Sequence, residues 1–250
     1  MLLRAGESQI ERGRPVAFLD GVGHYVVSLP SKLILWNWEV DRHRISPETE
    51  AALVRYLEAN GLQNVKVRLN QYSPGAEFRR LFHNRAINGF WRYTIGILSV
   101  SYYTILPGRF FGGDNYNPYT NTLNIYSDDP AILLHEGGHA KDFAGREWKG
   151  VYGALRLLPG FDLYQEGRAT SDAIGYLIDG EQRDEQRSAY RVLYPAFGTY
   201  VAGEYTRWVP LGYLENLAFA LAGAIPGHIA GAIAAWRVPD EGEPAPVPAR

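Results

Sequence analysis

The stretch ILLHEGGHAKDFAG, residues 132–145, constrains this 250-residue chain more than any other. It sets two histidines and a glutamate into an apolar, small-residue run with a helix signal at each end. Asp128 or Asp129 offers an N-cap, Pro130 the first helical position and Gly145 a stop, which predicts a helix over 130–144. On that helix His135 and His139 are four apart and project from one face, so both imidazoles reach one metal ion, with Glu136 one step round beside them. Zinc lowers the pKa of its water from about 16 toward about 7, and a neighbouring carboxylate takes the proton as a carbonyl is attacked. Glu136 is therefore the expected catalytic base and a single zinc ion the expected cofactor. The competing reading is a buried helix whose histidines are satisfied within the protein. Gly137 and Gly138 weigh against it, because paired glycines weaken a helix and suit a crowded site.

Composition narrows the ligand chemistry. The chain has no cysteine, so any metal must be held by His, Asp or Glu. A net charge of -2 without long basic runs gives no electrostatic footprint for nucleic acid, which is excluded as a partner. The first residues, MLLRAGESQIERGRP, meet charge after three positions and do not read as a secretory signal, so the expected location is cytoplasmic.

A catalytic zinc takes three protein ligands and keeps one position open. A metzincin would place a third His or Asp six residues after the second His, where this chain has Gly145, and would need a Met-turn, whereas the sole methionine is Met1. Further on, LYQEGRATSDAIGYL puts Glu166 on an expected helix 27 residues after His139. On His135, Glu136, His139, Glu166 and the strand-like TNTLNIYSDD that leads into the motif helix, the chain resembles gluzincin-type zinc metallopeptidases. That group includes thermolysin, the Ste-type membrane-associated endopeptidases and the minimal gluzincins. The likeness covers roughly residues 115–180. It implies Glu166 as third ligand, and an edge strand binding extended peptide, which would make Thr122, Leu123, Asn124, Ile125 and Tyr126 the substrate shelf. One position departs from the group. Where many members carry an aspartate four residues after the glutamate ligand, this chain has Thr170. Asp172 lies about 120° round the helix from Glu166, and Asp142 stands three residues after His139, so these two are the candidates for orienting a ligand. Tyr164, Arg168, Tyr176 and His228 are candidates for stabilising an oxyanion.

Around the motif the pattern changes once. Up to about Ile45, VAFLDGVGHYVVSL and KLILWNWEV are rich in β-branched and aromatic residues and read as two or three strands. SPETEAALVRYLEANGL is a helix with Ser46 as N-cap, Pro47 at N1 and Gly61 past its end. NVKVRLNQY alternates as a half-buried strand and GAEFRRLFHNR returns to helical spacing. Residues 88–111 read as core strand or helix. After Pro130 the spacing is mostly helical: Phe161 to Ile178, about Glu181 to Glu204, and Leu211 to Trp236. His24, His43 and His83 stand alone and read as structural or surface residues.

The segment 216–236, NLAFALAGAIPGHIAGAIAAW, has the length of a bilayer span and glycines at 223, 227 and 231. Its favoured reading is a helix pair broken at IPG and buried against the metal-site helices, with membrane association as the alternative. The expected fold is α+β and zincin-like, one catalytic unit over 1–250. It comprises a mixed α/β lobe over 1–127 with an edge strand, a helical zinc-binding lobe over 128–237 and a disordered tail over 238–250. The expected function is zinc-dependent hydrolysis of peptide bonds in peptide or protein substrates. A non-catalytic metal-binding or interaction domain of the same fold is the alternative, and the sequence leaves oligomeric state and specificity open.

Overall fold

The computed structural model describes residues 8–106, 108–111, 113–209 and 211–240. Its architecture is α+β, a small mixed sheet embedded among helices. Four strands, β1 (Ile10–Arg12), β2 (Lys66–Leu69), β3 (Asn115–Asn117) and β4 (Thr122–Ile125), lie in the order β1-β2-β4-β3. β1, β2 and β4 are parallel, and β3 runs antiparallel along β4 with Tyr116 opposite Leu123.

The N-terminal runs expected as strands are helical: α1 (Ala17–Val22), a π-helical segment Gly23–Val27 and α2 (Leu29–Leu35). The β-branched content misled, because side-chain type is a weaker signal than period. Phe18, Tyr25, Leu29, Leu33 and Trp36 recur at helical intervals, and all five are exposed. β1, which residue pattern alone did not mark, supplies the first strand instead. α3 (Pro47–Ala59) is capped as its sequence dictates, the Ser46 hydroxyl accepting from Thr49 N at 3.2 Å, and Gly61 turns the chain at φ 65°.

β2 is covered on both faces, against the half-buried expectation. Lys66 and Arg68 are met there by acids: Glu11 reaches both, at 2.6 Å each, and Glu77 meets Arg68 at 2.8 Å. Glu77 comes from α4 (Pro74–His83). The aromatic stretch that follows is helical: α5 (Gly89–Trp91), a π-helical segment Arg92–Gly96, α6 (Ile97–Ile105) and α7 (Gly108–Phe111).

The C-terminal half is a stack of helices: α8 (Pro130–Ala144), α9 (Lys149–Ala154) with a 3-10 turn Leu155–Leu157, α10 (Phe161–Asp179), α11 (Arg183–Thr206) and α12 (Tyr213–Trp236). α8 has the expected bounds. Asp129 accepts from Ala131 N at 2.8 Å as its N-cap, while Asp128 turns to Ser46 N and its hydroxyl, both at 2.8 Å. One core runs through Leu53, Val67, Leu123, Leu133, Ala173 and Leu193, so the expected boundary at 127/128 is crossed by shared packing.

α12 corrects the expected broken pair. It is one helix through Pro226, its partner is α11, and its outer face is exposed. Gly223, Gly227 and Gly231 are where the two backbones touch: a β-carbon on Gly227 would stand 2.5 Å from Pro195 Cα and Tyr194 O. Residues 241–250 of the expected tail lie outside the described residues.

Candidate metal centre

Two helices build the site. α8 presents His135 and His139, α10 presents Glu166, and all three are buried. Their separation is set by Gly138, where a β-carbon would stand 2.9 Å from the Ala169 carbonyl oxygen of α10. Gly137, beside it, leaves the space that the Tyr56 ring of α3 fills. The paired glycines thus fit the crowding anticipated from the sequence, one neighbour each.

Glu166 Oε2 lies 3.0 Å from His135 Nε2 and 3.3 Å from His139 Nε2, and the three donor atoms fall within 4.8 Å of one another. The outward ends of His135 and Glu166 are also held. Thr170 Oγ1 is 3.2 Å from His135 Nδ1, and the Arg156 guanidinium takes Glu166 Oε1. Arg156 in turn meets Asp162 at 2.6 Å, and Asp162 meets Arg207 at 3.1 Å. Two imidazole nitrogens and one carboxylate oxygen gathered this closely, with the far ends of His135 and Glu166 fixed, could hold a metal ion.

The electrostatics follow from burial and proximity. Burial favours the neutral acid at Glu166, but the charge of His139 and hydrogen bonds from both histidines hold its pKa far below the ordinary range. Burial disfavours protonation of His135, yet Glu166 outweighs this and pushes its pKa up. Glu136 is pushed up by burial and by Glu166, against the pull of both histidines.

Two cavities, of about 450 and 310 Å³, share Glu136, Asp114 and Tyr200 in their walls. The larger also carries His139, Glu166, Arg156 and the three residues of β3; the smaller carries His135 and Thr170. Tyr200, on α11, keeps its phenolic proton: the charge of Glu166, then burial, raise its pKa well above 10. Asp114 accepts from the amides of Tyr126 (2.6 Å) and Ser127 (3.0 Å) and from the Ser127 hydroxyl. Burial and the nearby charge of Asp41 push its pKa up to about 6.

The structure therefore brings together His135, Glu136, His139 and Glu166, and moves the other candidates elsewhere. Asp142 binds Arg146 at 2.5 Å, Arg168 at 2.8 Å and the Tyr152 hydroxyl on the far side of α8. Asp172 binds Tyr56 and Lys141, and Tyr176 packs edge-on against Tyr56. His228 Nε2 lies 2.7 Å from Ile34 O and its ring stacks on Trp36. Tyr164 and Arg168 sit together outside both cavities. The contact to His135 expected of an aspartate is made by Thr170, the very departure visible in sequence.

The substrate shelf also moves. Thr122, Leu123, Asn124, Ile125 and Tyr126 are buried, because β4 is an inner strand paired on both sides. The sheet edge toward the cleft is β3, Asn115–Asn117. Sequence reasoning missed Arg156, Tyr200 and Asp114. Tyr200 had a signal, since Val192, Ala196 and Tyr200 recur every four residues and line the smaller cavity. Arg156 and Asp114 reach Glu166 and Tyr126, 10 and 12 residues on, across loops whose path no residue pattern marks, and carried none. Compared with protein-family models, curated proteins and solved structures, the chain matches none of them.

Proposed function

We propose that this chain is a zinc-dependent peptidase, and the convergence of His135, His139 and Glu166 beside Glu136 is the observation that carries the reading. Zinc held there supplies Lewis acidity to a substrate carbonyl and to water. Glu136 lines the larger cleft on the same helix as two ligands, placed to accept the proton of the attacking water and pass it to the leaving amine. Tyr200, whose phenolic proton is held by the charge of Glu166 and by burial, offers an O–H to the oxygen that gains charge. The unpaired edge of β3 offers main-chain donors and acceptors along the cleft, so an extended peptide can add as a strand. Arg156 and Thr170 act through Glu166 and His135, fixing which atoms face the metal.

The peptide reading rests on that strand edge together with the family resemblance. Metal analysis of purified wild type and Glu166→Ala tests the ligand set, with one zinc expected in the first and weakened binding in the second. A mixed peptide library then tests the reaction: cleavage by wild type and none by Glu136→Gln supports it. A zinc-loaded wild type that cleaves no peptide removes the peptidase reading and leaves the metal site standing.

A further inference from the structure

Leu214, Leu221, Ile225, Ile229, Ile233 and Trp236 of α12 all face solvent. Their spacing gathers them on one side of the helix, opposite the glycines that rest on α11. The most apolar 18-residue window of α12 is only 11% buried. Nor is this face isolated. His228 joins α12 to α2 through Ile34 O and Trp36, and beyond that joint Phe18, Leu33 and Trp36 are exposed as well. α1 packs on α7, and α6 adds exposed Leu98, Tyr102 and Ile105. Single exposed apolar residues are ordinary, but exposed apolar residues repeated along α12 and α2, which touch, and again on α1 and α6 mark an interaction surface.

Charge identifies what covers it. From Pro74 to Gly113 the chain contains five arginines and one acid, Glu77, although acids outnumber Lys plus Arg overall by 27 to 25. Glu77 is buried against Arg68. Arg79, His83 and Arg85 are exposed, among exposed Phe82, Phe90 and Tyr93. Cations and aromatic rings bordering hydrocarbon, with no exposed acid in that stretch, complement an anionic headgroup layer.

We propose that the chain docks in the plane of an anionic membrane through α12, α1–α2 and α6. A helix of 24 residues is about 36 Å long, enough to cross a bilayer. α12 nonetheless lies flat, because it is paired along its length with α11. Tyr190 and Tyr194 of α11 meet Gly231 and Gly227, and between them Arg191 is exposed, so a crossing would carry that charge into hydrocarbon. Both cavities are lined from these docking elements, the larger by Tyr102 of α6, the smaller by Ser31 and Leu35 of α2. Docking stands apart from the hydrolytic reading; if both hold, the substrates are polypeptides presented at the bilayer surface.

The test is flotation of the full chain with phosphatidylcholine vesicles, with and without phosphatidylserine. Wild type should float, more strongly with phosphatidylserine and less at high salt. Ile225→Glu with Ile229→Glu should cut the bound fraction by about tenfold or more, while zinc content and melting temperature hold. Ile225→Ala with Ile229→Ala provides a milder pair should the glutamates impair folding, and an intermediate loss is expected. Arg79→Glu with Arg85→Glu should remove the phosphatidylserine dependence alone. Wild type that stays at the bottom of the gradient with both vesicles overturns the proposal. So does resistance to alkaline carbonate extraction, which means a spanning helix, or a dimer dissolved by the glutamate pair without vesicle binding, which means a second copy covers the face.

Discussion

α8 and α12 are both largely apolar helices that use glycine to bring another backbone close, and they are buried in opposite senses. α8 has neighbours all round: Tyr56 against Gly137, the Ala169 backbone against Gly138, and strands β3 and β4. Its imidazoles and Glu136 are thereby taken out of water; Glu166 meets both imidazoles, Thr170 the far nitrogen of His135, and Arg156 the other oxygen of Glu166. α12 rests its glycines on α11 and leaves leucine and isoleucine outside. A glycine stripe therefore names the neighbour on one face and says nothing of the opposite face. The metal centre depends on the enclosure of α8, the proposed docking surface on the openness of α12.

Substitutions can separate the two helices. The largest effect is expected from Glu136→Gln, which should lower peptide turnover on the order of 10³-fold with zinc stoichiometry and vesicle binding unchanged. A parallel loss of zinc would show that Glu136 belongs to the ligand set and not to proton transfer. Gly138→Ala and Gly227→Ala each force a β-carbon onto backbone and should cost about 1–3 kcal/mol in denaturant unfolding. Gly138→Ala should also weaken zinc binding, because it pushes α10 from α8. Gly227→Ala should leave zinc affinity unaltered; equal loss in both would mean that the two helix pairs are one mechanical unit.

Thr170→Val and Arg156→Met are expected to weaken zinc binding by about 10-fold or somewhat more, read by competition with a chelator. The smallest effect concerns pH. The Asp114 carboxyl holds its proton to about 6, whereas the unfolded chain releases it near 3.8, so between these values the native state binds more protons. Stability should therefore fall as pH rises across that window, and Asp114→Asn should flatten the slope in urea midpoints taken from pH 4 to 7.

How much of this was legible in the sequence varied with the range of the forces involved. The bounds of α8, an aspartate cap narrowed to Asp128 or Asp129, and the pair His135 and His139 are local, set by turns of one helix, and could be read directly. Glu166 became readable through resemblance to a family. β4 was recognisable as a strand from its alternation, but its inner place was not, because the order of strands depends on β1 and β3, two three-residue strands. The N-terminal helices were misread from β-branched content, although their apolar residues recur at helical intervals. That period does not distinguish a face packed on a core from one left open, and in α1, α2 and α12 the open face is the unusual part.

The joint between His228 and Ile34 spans 194 residues. During synthesis it forms only after α8 and α10 have emerged with His135, His139 and Glu166. Ser31 and Leu35 of α2 wall the smaller cavity, so that side of the centre is not latched until α12 has been made. A nascent chain would pass through an interval in which these three side chains are open to solvent from that side.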